Sequence, residues 1–340
     1  MEDVTLAPGL DPDAAPSDEE QSGGDSMLTV VVALVANALL AAAKSAAALF
    51  TGSAAMLAEA AHSWSDTGNE VFLLVAERSG RRPRDESHPR GYGRATYVWS
   101  LVAAFGLFAV GATVSLWQGV SDLLGEPGED DTVFWVNYLV LAIAFVLEGT
   151  SFLQARRQVH GEASRYGLHP LRYVSRTSDS TLRAVYFEDA SALIGIVLVA
   201  GAIGLHQLTG SAVWDALGSI AVGLLLGVVA VFLMRRNMEY LLGEGTGERI
   251  RREVLARVLA HPQVDRCTYL HVEYVGPQRL FVVAAVDLTG DDAESELALR
   301  FRAVEADIER SPVVEDAVLT LAPPDEEALT VDSGVTRRRR

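Results

Sequence analysis

Residues 54 to 77 read AAMLAEAAHSWSDTGNEVFLLVAE, an apolar run long enough to cross a membrane that nevertheless carries Glu59, His62, Asp66 and Glu70. A bilayer core of about 30 Å needs about 20 apolar residues in a helix. Ionisable residues held at that depth are costly and mark ion or proton pathways. His62 and Asp66 are spaced i, i+4, so imidazole and carboxylate stand one turn apart on one helix face. That spacing suits a divalent ion held from a single helix, with a structural hydrogen-bonded pair as the plainer alternative.

Working outward, apolar runs bounded by charged clusters give six spans, at about 27 to 50, 54 to 77, 95 to 121, 132 to 155, 181 to 205 and 212 to 234. An ordinary soluble enzyme is thereby excluded. The segments 78 to 94 and 156 to 183 are rich in arginine, and Arg235 and Arg236 follow the last span. The opposite connections, near Thr51-Gly52-Ser53, at 122 to 131 and at 206 to 211, hold no Lys or Arg. The positive-inside rule then predicts that both termini are cytoplasmic.

The net charge of −17 is unevenly spread, with eight acids and no base in residues 1 to 26. That stretch reads as a disordered acidic cytoplasmic tail, and the last residues, 324 to 340, as another. No continuous basic face exists, which excludes nucleic acid as a partner. The single cysteine, Cys267, excludes an internal disulfide and a cysteine zinc site, so any metal is left to His, Asp and Glu. The expected organisation is a six-span all-α membrane domain over 27 to 245 and a cytoplasmic α+β domain of ferredoxin-like type over 246 to 323. In the latter, Thr246 is expected to cap a helix running to about His261. Alternation predicts strands over Val264 to Val275, Arg279 to Leu288 and Val314 to Leu321, with an amphipathic helix over 292 to 310.

The fifth span supplies a second pair of acids, Glu188 and Asp189, at a depth that can match His62 and Asp66. Neighbouring residues on a helix diverge by about 100°. Asp189 is favoured for the ion, with Glu188 as second ligand or proton acceptor. Glu148 in the fourth span either takes part in proton coupling or pairs with an arginine such as Arg183. Lys44 is placed to neutralise Glu59, and Asp215 to start the sixth helix.

The run from Leu49 to Asn69, followed by His88-Pro-Arg-Gly-Tyr-Gly-Arg94, resembles the cation diffusion facilitator family of divalent-metal carriers. The likeness covers about residues 27 to 323. It implies export of Zn²⁺ against protons by a homodimer that alternates between inward-facing and outward-facing states, with no resident cofactor. Co²⁺, Fe²⁺ and Mn²⁺ are alternative ions for nitrogen and oxygen ligands. Carried over, His62, Asp66 and Asp189 match the transport ligands, whereas the usual fourth ligand is replaced by Val185. Phe187-Glu188-Asp189-Ala-Ser-Ala-Leu is similar to the branch that contains the mitochondrial zinc transporter.

Asp85 and His88 match accessory metal ligands of some bacterial members, although a tight turn is an equal reading. Ligand positions of the family's end domain appear as Thr268, Ala284, Thr320 and Ala322, so that domain is expected to dimerise without a two-metal cluster. The expected location is a bacterial inner membrane. The rival reading is a transport-poor scaffold or metal-sensing member acting through its cytoplasmic domain; an enzyme is not expected.

Overall fold

The computed structural model describes residues 23–124 and 134–331. The acidic start, most of the connection at 122 to 131 and the closing arginines lie outside the described residues. Two compact units are present, one built from helices and the other from the loop Gly80–Arg94 together with Glu239–Arg340.

The helical unit runs through α1 (Gly23–Thr51), α2 (Ala54–Gly80) and α3 (Ala95–Leu107), which passes through a π-helical turn (Phe108–Ala112) into α4 (Thr113–Leu124). It continues with α5 (Phe134–Arg165), α6 (Pro170–Arg176), α7 (Ser180–Thr209) and α8 (Val213–Leu241). Local chemistry sets the boundaries. The Asp179 carboxylate caps α7 by accepting the Leu182 N–H at 2.9 Å, and Gly210, at φ 67°, ends it in the left-handed region. Asp215 does sit in the first turn of α8. The short α6, with Pro170 in its first turn, lies where the sequence suggested only a basic connection.

Among the described residues four helical segments are long and apolar enough to cross a membrane, namely Ala95–Leu124, Phe134–Arg165, Ser180–Thr209 and Val213–Leu241. The helices α1 and α2 have 29 and 27 residues, and α2 is made more polar by its acids and histidine. Small residues govern the packing. A Cβ on Gly119 of α4 would lie 2.6 Å from the Ala216 carbonyl of α8, and one on Gly223 would lie 2.8 Å from Leu116. Such close backbone approach gives helices dispersion contacts that a lipid solvent does not outcompete. Ala55, Met56, Ala144, Ile196, Val199 and Leu226 fill the interior, while Leu139, Ile143 and Val146 of α5 face outward.

In the second unit, α9 (Glu248–Ala260) leads into β1 (Val264–Gly276) and β2 (Arg279–Leu288), then α10 (Glu294–Ile308) and β3 (Val314–Leu321). The sheet order is β1-β2-β3, with β1 and β2 antiparallel and β2 and β3 parallel. Central β2 is almost wholly buried, which explains its unbroken Leu280 to Val286 run. Val254, Val258, Leu270, Val282, Val304 and Leu319 form the core. Gly247, not Thr246, occupies the N-cap of α9. Thr246 is engaged elsewhere, its N–H donating to the Val272 carbonyl at 3.2 Å. Sheet pairing has outcompeted the local cap.

Candidate metal centre

On α2 the His62 Nδ1 stands 3.3 Å from Asp66 Oδ2. The imidazole is fully buried, and neither ring nitrogen has a hydrogen-bond partner; Asp66 Oδ1 has none either. Buried polar groups are normally satisfied. These three buried atoms are left without a hydrogen bond within one turn of α2. One turn away, the Lys44 ammonium of α1 lies 2.9 Å from Glu59 Oε2 and donates to Ser63 Oγ at 2.7 Å, with Lys44 and Glu59 both fully buried. Glu59 is thus neutralised by Lys44, as its sequence position suggested.

A cavity of about 350 Å³ opens beside Asp66. Its walls carry five carboxylates: Asp66 and Glu70 from α2, Glu148 from α5, and Glu188 and Asp189 from α7. Among the described residues no Lys or Arg lines it, and Val185 does. The adjacent acids of α7 diverge as helix geometry requires. Glu188 turns to α2 and accepts from Asn69 Nδ2 at 3.0 Å, whereas Asp189 turns to α5 and accepts from Ser151 Oγ at 2.8 Å. Glu70 accepts from Asn37 Nδ2 of α1.

Of the sequence-selected residues, Asp66, Glu188, Asp189 and Glu148 therefore share one cavity. His62 stands behind Asp66 and is not part of the wall. Among the described residues no three His, Cys, Asp or Glu side chains converge closely enough to hold an ion as they stand. Glu148 faces the other acids, while the buried Arg183 guanidinium donates to the Thr177 carbonyl and to Asn237 Oδ1. Glu70 is visible in the sequence among the charges of the second span but has no role assigned there, although it lies one turn beyond Asp66. Sequence reasoning passes over Asn37, Asn69 and Ser151, which carry no signal because only the fold brings them to the acids.

The second unit treats its acids differently. In the loop before α3, Asp85 Oδ1 accepts from Ser87 Oγ at 2.6 Å and from the His88 N–H at 2.8 Å, and Asp85 Oδ2 accepts from the Tyr92 hydroxyl at 2.7 Å. The Ser87 and Tyr92 hydrogen bonds hold the Asp85 carboxyl well below the usual carboxylate range. Its contribution to the turn is therefore complete at neutral pH and is lost only as the pH falls below that range. The His88 ring stacks on Tyr92 with centroids 4.0 Å apart.

The same loop is fixed to the end domain. Arg84 lies 3.0 Å from Glu315, which also meets Arg279 at 2.8 Å; Arg90 and Arg94 lie 3.2 and 3.1 Å from Glu273. Arg90 also covers the Phe281 ring at 4.1 Å. A Cβ on Gly93 would stand 2.5 Å from the Val275 carbonyl, so the loop backbone rests directly on the end of β1. In the end domain, His261 approaches Asp307 at 3.6 Å and His271 approaches Glu273 at 3.4 Å, each with a single acid. Ala284 is fully buried, as is Cys267, whose thiol donates to the Tyr269 carbonyl and is pushed up to about 11 by burial.

Comparison with known proteins accords with this arrangement. Residues 30–242 match the family model described as the cation efflux transmembrane domain. The human mitochondrial proton-coupled zinc antiporter SLC30A9 is 37% identical over 240 residues, covering 71% of this chain and 40% of the human one. Metal tolerance protein C4 of Arabidopsis thaliana is 32% identical over 240 residues, covering 71% of this chain and 52% of the plant protein. The cation-efflux pump FieF of Escherichia fergusonii is 23% identical over 276 residues, covering 77% and 85%. The chain thus spans roughly two-fifths of the human relative's length. With apolar helices of membrane-crossing length around an acid-lined cavity, and a match across the transmembrane domain, the chain belongs to the cation diffusion facilitator family, on the branch similar to SLC30A9.

Proposed function

We propose that this protein carries divalent metal cations, zinc foremost, out of the cytoplasm in exchange for protons. The observation that supports it best is the cavity: five carboxylates around about 350 Å³, with no cationic side chain in the wall among the described residues. A mobile cation completes such a site, because several buried acids without a counter-charge repel one another. His62, Asp66 and Asp189 are the proposed ligands, with Glu188 or water completing the shell that Val185 leaves short. The ligand set closes when the side chains of α2 and α7 turn toward one another across the cavity. Ligands must lose their protons to bind metal, so metal and protons compete for one site, and that competition is the coupling. Glu148, on the same wall, is assigned to proton transfer.

The remaining parts follow the same reading. All six long helices cross the membrane with both termini cytoplasmic, a homodimer alternates between inward-facing and outward-facing states, and the end domain, a ferredoxin-like αββαβ unit, dimerises without metal. Asp85 and His88 are assigned to the turn of the loop, since loop donors already occupy both Asp85 oxygens. The membrane is left at this topology: the bacterial inner membrane was a sequence expectation, while the human relative's name specifies a mitochondrial protein.

The test is metal uptake into proteoliposomes under an imposed pH gradient. Asp66→Ala and Asp189→Ala are each expected to lower zinc uptake by more than about 100-fold, beyond the loss typical of supporting residues. Val185→His, which places a nitrogen donor in the cavity wall, is expected to raise it. Native rates in the alanine variants refute the ligand assignment, and no metal uptake by the native protein points to the scaffold reading.

A further inference from the structure

Between Arg156 and Arg176 the chain holds five arginines and one acid, Glu162, which pairs with Arg165 at 3.1 Å. Positive charge on the cytoplasmic side of a span is expected of any membrane protein. The folded shape of this segment asks for more. The apolar part of α5 ends at Ala155, yet the helix continues for ten residues, about 15 Å. Gly167, at φ 59°, then turns the chain so that α6 lies back against α5, with Tyr173 and Val174 packed on Ala155, Val159 and Ala163. Tyr166 stacks on Tyr173 with centroids 5.7 Å apart, which fixes the fold-back.

The opposite side of α6 is exposed and mixed in character. It presents Leu171, 54% exposed, beside Arg172 and Arg176, and Leu168 precedes it at 38%. Arg156 and Arg157, also exposed, lie where the apolar part of α5 ends. A single exposed leucine is ordinary on a protein surface. Leucine flanked by arginines just past the end of an apolar helix suits the boundary of a bilayer, where apolar side chains reach the acyl region and basic ones meet phosphate. We propose that α6 is a membrane-surface foot that binds anionic lipid headgroups through Arg156, Arg157 and Arg172 and inserts Leu171. The inference needs α5 and α7 to cross the membrane, and it is independent of which ion is carried.

The test uses the full chain with Leu171→Cys carrying a thiol-attached, polarity-sensitive dye. Cys267 is buried, so labelling is confined to position 171. Vesicles of phosphatidylcholine alone are compared with vesicles containing phosphatidylglycerol, with and without brominated acyl chains. The expected result is a blue shift and quenching by brominated chains in the anionic vesicles, both lost in Arg156→Gln/Arg157→Gln/Arg172→Gln. A label at Leu299 of α10, 66% exposed, provides the water-facing reference. Emission at position 171 matching that reference overturns the proposal. So does a shift equal in neutral and anionic vesicles, which shows insertion without headgroup recognition. A shift already present in detergent that disappears on dilution assigns the face to a second copy of the chain instead. Since none of these readouts involves metal, failure of the foot is distinct from failure of the transport reading.

Discussion

Two sets of carboxylates in this protein live by opposite rules. Around the loop and end domain, Glu273 and Glu315 each meet two arginines, and the loop is held in place by the result. Around the cavity, Asp66, Glu70, Glu148, Glu188 and Asp189 share a wall whose hydrogen bonds come from two asparagines and a serine. Neutral donors orient a carboxylate without cancelling its charge. An acid paired with guanidinium is structural, and an acid left with amide and hydroxyl partners is available to a cation that comes and goes. Glu59 is the instructive middle case, a fully buried acid of α2 removed from the second set by Lys44.

The sharpest way to break the distinction is to move Glu59 across it. Lys44→Met leaves a fully buried carboxylate without its ion pair, and the expected loss of stability is about 3–5 kcal/mol. Lys44→Met/Glu59→Gln is expected to regain most of it, as read by thermal unfolding in detergent. A single variant as stable as the native protein shows that the pair is not a structural one.

A smaller effect is expected where orientation alone is removed. Asn69→Ala frees Glu188 while leaving every proposed ligand in place, so zinc affinity measured by calorimetry is expected to fall about 10–100-fold, the range for lost supporting hydrogen bonds. Unchanged affinity removes Glu188 from the ion's surroundings and leaves Asp189 as the α7 contribution.

The smallest effect belongs to the paired set. The arginines on Glu273 are 53% and 38% exposed, so solvent screens the contacts. Glu273→Gln is expected to cost at most about 1 kcal/mol. Hydrogen exchange is expected to quicken across 80 to 94, with zinc affinity untouched. A change in affinity breaks the separation between the two sets.

The sequence was most informative where the determinants are local. The apolar patterning from Val264 to Leu321 located all three described strands to within a residue, although central β2, buried on both faces, shows an unbroken apolar run and not a period of two. The charges of α2 and α7 were equally plain, since a carboxylate inside an apolar run has few explanations. What escaped was set by tertiary neighbours. Asn69 and Ser151 look like ordinary polar residues until α2, α5 and α7 are brought together. The cap of α9 falls at Gly247 and not at the expected Thr246, whose N–H is engaged with the Val272 carbonyl. The π-helical turn at Phe108–Ala112 likewise has no signature in composition, although its Gly111 would bring a Cβ within 3.1 Å of Ser65, next to Asp66.

Loops usually tolerate insertion, because few of their atoms are committed. The loop Gly80–Arg94 does not fit that pattern. Its backbone rests on Val275 at Gly93, Arg84 reaches Glu315 and Arg90 reaches Glu273, so the contacts at its two ends fix the length between them. An epitope or fluorescent protein spliced into this exposed stretch would have to uncouple one set of contacts to fit. The same cargo fused near Asp291, in the turn ahead of α10, meets local contacts instead, those of Arg300 with the Thr289 carbonyl and with Asp292.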